Sequence, residues 1–500
     1  MKKVRILLIA LCFAMILPLL VACKKDDEKP VSDDKYVYDD SCREKAADSI
    51  PEGYDLENQT IGIFYAQHTE KFLIGDEEST DIVFSKIYER NLSVEERLNV
   101  DLDLISSDTT RWQEVVEVMK RDIQTMANAY EIIFTTNNTV TQELLFNYFY
   151  DLNDSEYIDI EERWWYPDAI METSIDNYNY RLLYGDISIG TLGIAGARFY
   201  NKALYEQYLS PNKDGDELYQ KVFDGTWTLE EFTRITKKAH IEKGGDGSND
   251  IYGFSLFNTG EPTHYFREAA DLPLYTRDEY GMIEIEPISD RLITFVDMLY
   301  ECYWENEGAW LFLGQSMPKE RENDFPNEKV MFLLGNLNTA LQDNMREMKQ
   351  DFGIVPFPKL DEEQELYKNF LQNGTVMVGC PVSADIERVN EEVSAVIEAL
   401  ASESYRSVAV PYYEMALKTA YTRDDMDAHM IDIITGRHDT VKSTLTKNFA
   451  YEYLHYSVGQ IIRNTVHNKN TNVVSQYDSM IGSAGVTLKQ ILDDYKSGKI

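Results

Sequence analysis

The sequence predicts an α/β protein whose globular part is divided into two or three lobes. Three observations carry this expectation. At 500 residues the chain is too long for one compact core. Its hydrophobic content of 43% and aromatic content of 12% are enough to fill several cores. Between Thr60 and Thr135, short apolar runs alternate with helical periodicity, the order that builds a parallel sheet covered by helices.

The first element is not part of the fold. Lys2, Lys3 and Arg5 open an apolar run, Ile6 to Leu20, that Pro18 interrupts and Leu20-Val21-Ala22-Cys23 ends. This is the pattern of a secretory signal over 1–22. A bilayer crossing needs about 20 apolar residues, so this shorter, proline-broken run is a poor anchor helix. The cysteine directly after Leu-Val-Ala resembles the lipobox of bacterial lipoproteins, which implies that Cys23 is lipidated and becomes the mature N-terminus. Residues 23–57 carry KKDDEKP, SDDK and YDDSCREK with few aliphatics. They are expected to form a flexible tether, because such a segment cannot offset its ordering entropy by burial.

Charge narrows the partners. There are 48 Lys+Arg against 87 Asp+Glu, for a net charge of −39, and the signal contributes three of the bases and none of the acids. Nucleic acid is excluded as an expected partner, since its binding requires basic residues that neutralise phosphates. Anionic solutes are repelled at long range, and a solvated acidic surface accounts for most of the charge. Of the five cysteines, Cys12 lies in the signal, Cys23 takes the lipid, and Cys42, Cys302 and Cys380 remain. They form neither a disulfide framework nor a zinc site. Cys302 and Cys380 read as buried small apolar residues.

From Thr60 the elements follow in order. Thr60–Phe64 (TIGIF) is a strand ending in the polar loop Ala66-Gln67-His68-Thr69. Residues 79–98 are helical, with Ile82, Val83, Ile87, Leu92 and Leu98 on one face. Val100–Ile105 alternates apolar and acidic residues as a strand does. Arg111–Met126 is a helix, with Trp112, Val115, Val116, Met119 and Ile123 on a stripe and Asp108 or Thr109 as its cap. Glu131–Thr135 is a strand that opens into Thr136-Asn137-Asn138. In such a sheet ligands bind beyond the carboxyl ends of the strands, which puts Gln67, His68, Asn137 and Asn138 on one rim.

At this point the chain resembles a known family. The series TIGIF, VDLDLI, AYEIIFTTNN, LLFNYFYDLND and RFYNKALYEQY, with Tyr200-Asn201-Lys202, is similar to the first lobe of the solute-binding proteins of bacterial ABC importers. The similarity is to the carbohydrate-binding group that includes maltose-binding protein. It continues through Gly225–Phe232 (GTWTLEEF), Ile251–Phe254 (IYGF), Lys329–Gly335 (KVMFLLG), Phe352–Lys359 (FGIVPFPK) and Asn373–Gly379 (NGTVMVG). The sequence departs from the family at Asn336-Leu337-Asn338, where a stacking tryptophan is common, and over 405–448.

The resemblance implies a periplasmic-binding-protein-like fold: two hinge-linked lobes, each a mainly parallel sheet covered by helices. Lobe one is expected over 58–195 plus 360–405, and lobe two over 196–359 plus 406–500. The crossings are expected near Ile194–Arg198, Pro356–Lys359 and Ala401–Tyr412. Thr228 with Glu231 forms a capping box, and Trp227 reads as a structural staple onto that helix.

Enzyme signatures are missing. There is no HExxH, GxSxG, P-loop or GxGxxG, and the seven histidines are scattered. Chance pairs among so many acids say nothing about a glycosidase. Asp246-Gly247-Ser248-Asn249-Asp250 has the oxygens of a calcium loop, but Phe257 stands where the bidentate acid belongs. No enzyme activity, metal or cofactor is therefore expected. Sugar recognition combines aromatic faces with amide, acid and imidazole rims. Candidate contacts are Gln67, His68, Asn137 and Asn138 on lobe one, and Phe257, His264, Tyr265, Asn336 and Asn338 on lobe two. Tyr184, Asp186 and Asn373 lie near the crossings. Trp164-Trp165-Tyr166 reads instead as packing.

The expected function is capture of a small solute, an oligosaccharide, by hinge closure and its delivery to an ABC permease. The protein is expected to be a monomer held by lipid on the extracellular face of the cell membrane. A glycan-binding or sensing protein uncoupled from transport, or a cleft glycoside hydrolase, is the alternative.

Overall fold

The computed structural model describes residues 43 and 45–498, apart from 142–145, 211, 246–248, 258–259, 313–320, 373, 413–425 and 455–457. The signal, Cys23, Cys42, Asn373 and the centre of the calcium-like loop lie outside the described residues. The first strands are β1 (Gln59–Tyr65), β2 (Val100–Ser106), β3 (Ile132–Thr136), β4 (Gly196–Asn201), β5 (Tyr252–Phe257), β6 (Tyr275–Arg277) and β7 (Ile283–Ile285). They are followed by β8 (Ala309–Phe312), β9 (Val330–Asn336), β10 (Phe352–Val355), β11 (Tyr367–Phe370), β12 (Val376–Gly379) and β13 (Ser443–Thr446).

Two sheets organise these strands. The first has the order β12-β3-β1-β2, with β1 parallel to both neighbours and β12 antiparallel to β3. The second has the order β10-β4-β9-β5-β8, with β5 parallel to β8 and β9 and β4 antiparallel to β9 and β10. This is a two-lobed α/β architecture. Ile61 to Tyr65 are all buried because β1 is central and covered on both faces. In β2, Val100 and Leu102 are buried while Asp101 and Asp103 are exposed, as the alternation in VDLDLI requires.

Local chemistry sets the helix ends. Asp81 caps Ile82–Leu98 by accepting from the Val83 amide at 2.9 Å, and Asn99 ends it in the left-handed region at φ 50°. The expected cap at Asp108 or Thr109 is not made: Arg111 precedes Trp112–Thr125, and the Thr109 hydroxyl bonds the Glu114 carboxylate at 2.7 Å. Half of the expected capping box forms. Thr228 accepts from the Glu231 amide at 3.2 Å, but the Glu231 carboxylate turns to Arg234 and Lys221, whose cations outbid the cap amide.

Packing shifts one expected boundary. Ile50 and Leu56 are buried in the first core, and Asp48 takes a bidentate pair from Arg97 at 2.7 and 2.6 Å, with Arg406 beside it. Residues 45–57, which composition assigns to the tether, are thus packed; two aliphatics and one well-paired carboxylate suffice. Phe357 stacks on Tyr265 at 4.9 Å, and Leu360, Tyr367 and Phe370 join the second core, whereas Leu371 joins the first. Tyr405, Val408 and Tyr412 are buried in the first core, and the helix Met426–Ile434 packs against β10, with Ile431 and Ile434 in the first core and Met430 and Ile433 in the second.

Trp227 is fully buried, stacks on Phe332 and donates its indole N–H to Pro356 O at 2.8 Å. It acts as the expected structural staple. Arg198, just past the first crossing, is fully buried with its guanidinium over Phe357, Phe266 and Phe232 at 3.9, 4.3 and 4.5 Å. Burial pushes its pKa down to about 9. Cys302 and Cys380 are free and buried, as their sequence context suggests. Replacing Trp227 with Ala should cost about 3–5 kcal/mol, the scale for truncating a buried aromatic. The check is a lowered denaturation midpoint at unchanged secondary structure.

Candidate functional site

The two sheets meet at their crossings. Ala195, on the first crossing, bridges Leu371 on the second, and the Leu371 amide donates to Thr446 O at 2.9 Å. Asn336, at the end of β9, pairs with Gly196, next to Ala195. Thr136, at the end of β3, pairs with Val376, which opens the return strand. The carboxyl ends of strands from both sheets are thereby brought to the same crossings, the location where open α/β sheets bind ligands.

On the lobe-one side, Gln67 begins a short 3-10 turn, its amide donating to Ser107 Oγ at 3.0 Å and its side chain exposed. The half-buried His68 lies 3.2 Å from Thr136 Oγ1 through Nε2, and the Thr136 hydroxyl donates to Asn138 Oδ1 at 2.7 Å. That order of donors makes Nε2 the protonated nitrogen and leaves Nδ1 as an enclosed acceptor without a partner. Burial holds the His68 pKa below its ordinary value, so the ring is neutral at pH 7.

On the lobe-two side, Asn336 caps the 3-10 turn Leu337–Leu341. Asn338 accepts from the Tyr412 hydroxyl at 3.1 Å and lies against Gly193, where a Cβ would collide with its amide. Sequence reasoning missed two residues here. Tyr412, from the lobe-one core, reaches Asn338. Phe72, half-buried, lies against Gly190, where a Cβ would come within 2.9 Å of the ring. Neither follows a periodic pattern, though the glycines of the Ile189–Gly193 helix (IGTLG) mark a close approach.

Other expected contacts are occupied within the protein. Asn137 is fully buried, donating to Glu452 at 2.5 Å and accepting from the Tyr184 hydroxyl. Asp186 is buried, paired with Arg437 at 2.8 Å and accepting from Tyr166 at 2.9 Å. His264 is buried on the helix Gly260–Ala269, and Tyr265 packs on Phe357 with its hydroxyl near Ile194 O at 3.5 Å. Asn137, Tyr184 and Asp186 are met by Glu452, Lys447 and Arg437, and Tyr265 by Phe357, a long-range arrangement that sequence spacing does not carry. Phe257 closes β5 opposite Phe312. Asn373 lies outside the described residues.

The Trp164-Trp165 pair is packing, as expected, but with a polar anchor. Both indoles donate at 3.0 Å to the two oxygens of Glu398, itself fully buried. Burial pushes this carboxyl up to about 8, against the pull of the two indole donors. No group of three or more His, Cys, Asp or Glu suited to a metal occurs among the described residues, and none of their helices is long and apolar enough to cross a membrane.

At the level of sequence, no family model and no curated protein matches the chain. Solved structures do share its fold. MalE, the sugar-binding protein from the phytopathogen Xanthomonas citri, aligns over 87% of this chain and 99% of its own at 10% identity, with a TM-score of 0.57. A cyclo/maltodextrin-binding protein complexed with maltotetraose aligns over 86% of this chain and 96% of its own at 12% identity, with a TM-score of 0.52. The chain therefore has the two-lobed fold of the periplasmic binding proteins.

Glu398 gives this site's surroundings a pH signature. Its folded pKa lies above the ordinary value of 4.5, so the folded state holds an extra proton between pH 4.5 and about 8. Its contribution to stability is complete below that window and lost as pH rises through it. Denaturation midpoints measured from pH 5 to 9 should fall with this sign, and Glu398→Gln should flatten the difference.

Proposed function

We propose that this chain is an extracellular solute-binding protein that captures a small neutral polyhydroxylated solute, an oligosaccharide, between its lobes and hands it to an ABC permease. The observation that carries the reading is the convergence of both sheets' strand ends on shared crossings, with Gln67, His68 and Asn138 on one side and Asn336 and Asn338 on the other. Of the ligand candidates these five remain once the enclosed residues are set aside, and Phe72 joins them as an aromatic face. Amide groups and a neutral imidazole offer both donors and acceptors, as sugar hydroxyls require. The fold shared with a sugar-binding protein and a maltotetraose complex supports the same solute class.

Closure supplies the mechanism. A solute that touches both rims only when the lobes are shut shifts the open–closed equilibrium by its differential affinity for the shut form. Leu20-Val21-Ala22-Cys23 supports a lipid on Cys23 that keeps the protein beside its permease.

Three measurements test this. A thermal-shift screen across neutral oligosaccharides, polyols, peptides and organic anions should show stabilisation by a member of the first class, of about 2.7 kcal/mol at a hundredfold excess over Kd. Asn138→Ala and His68→Ala should each weaken that solute at least tenfold with the unliganded melting temperature nearly unchanged; stabilisation by anions alone would overturn the solute class. In the native host, radiolabelled palmitate should be incorporated at Cys23, and Cys23→Ala should abolish the label and release the protein from the membrane fraction.

A further inference from the structure

We propose that the buried Lys447–Glu452 pair is a positioning device that fixes the orientation of one lobe against the other, a role that rests on the closure reading above. The pair is wholly enclosed, with side-chain exposures of 0% and 1% and a separation of 3.0 Å. It stands where three passes of the chain come together. The Lys447 ammonium donates to Leu371 O at 3.0 Å and contacts Gln372 O at 3.4 Å, both on the second crossing. One oxygen of Glu452 takes the lysine, and the other takes the Asn137 amide at the end of β3. Asn137 in turn accepts from Tyr184 and donates its backbone N–H to Thr375 O at 2.7 Å.

The bonds run unbroken from the segment after β13, through the second crossing, to the strand end of lobe one. A buried ion pair is a poor source of stability, because desolvation offsets most of the attraction. Its bonds are directional, however, and they tie the segment after β13 both to Leu371 and Gln372 and to the end of β3. Asn137 also precedes Asn138, the proposed solute contact, on the same short helix Asn137–Thr141. A solute bound at Asn138 therefore acts one residue from the device that sets lobe orientation.

The test separates orientation from stability. In the double variant Lys447→Met with Glu452→Gln, methionine fills the lysine stem and the glutamine oxygen still accepts from Asn137. Spin labels at exposed positions 92, in lobe one, and 486, on the helix Val473–Lys496, report the interlobe distance distribution without solute. The expected result is a distribution at least twice as wide as that of the parent protein, with the melting temperature preserved. An unchanged width in a variant that melts like the parent overturns the proposal. Should the double variant fail to fold, Tyr184→Phe removes only the hydroxyl bonded to Asn137; broadening supports the proposal and an unchanged width overturns it. Because no solute is present, a negative sugar screen would defeat the functional reading while leaving this result independent.

Discussion

The structure depends on the contact between two passes of the chain, Ala195 against Leu371, with Thr446 on the far side of Leu371. Backbone running between two lobes must find partners for its own N–H and C=O groups. Here the passes pair with each other as short strand-like bridges. That pairing brings Gly196 and Asn336 of one sheet, and the Leu371–Val376 return toward β3 of the other, to one place. Without it the two sets of strand ends would have no reason to share a space.

Charge is handled differently inside and outside. The excess of acids lies mostly in water, where it costs little. Four buried ionisable groups show different answers to desolvation. Asp186 meets Arg437 and Tyr166, and Glu452 meets Lys447 and Asn137. Glu398 meets two indoles, which do not offset burial, so its carboxyl is held neutral. Arg198 is surrounded by three aromatic faces, each a source of cation–π attraction that strengthens in a dry site.

Much of lobe one was legible in the sequence because its signals are local. TIGIF, VDLDLI and EIIFT became β1, β2 and β3, and the stripe from Trp112 to Ile123 became a helix. Ser402, Arg97 and Arg406 gather on Asp48 from distant parts of the chain, so the packing of residues 45–57 had no local sign. The packing of β11 had no local sign for a related reason: it lies against the helix Gly260–Ala269 and pairs with β13, partners about 75 to 100 residues away.

The candidate site divides in the same way. Gln67, His68 and Asn138 are candidates because a residue just past a strand's carboxyl end is placed there by the strand itself. Asn137 obeyed the same rule and was still enclosed, since Glu452 arrives from more than three hundred residues away. The sequence by itself determined the elements of lobe one and the α/β class, because backbone periodicity and turn chemistry act over a few residues. Tertiary structure alone decided which polar side chains stayed open and which were bonded within the protein, because burial and hydrogen-bond partnership depend on what the rest of the chain lays over them.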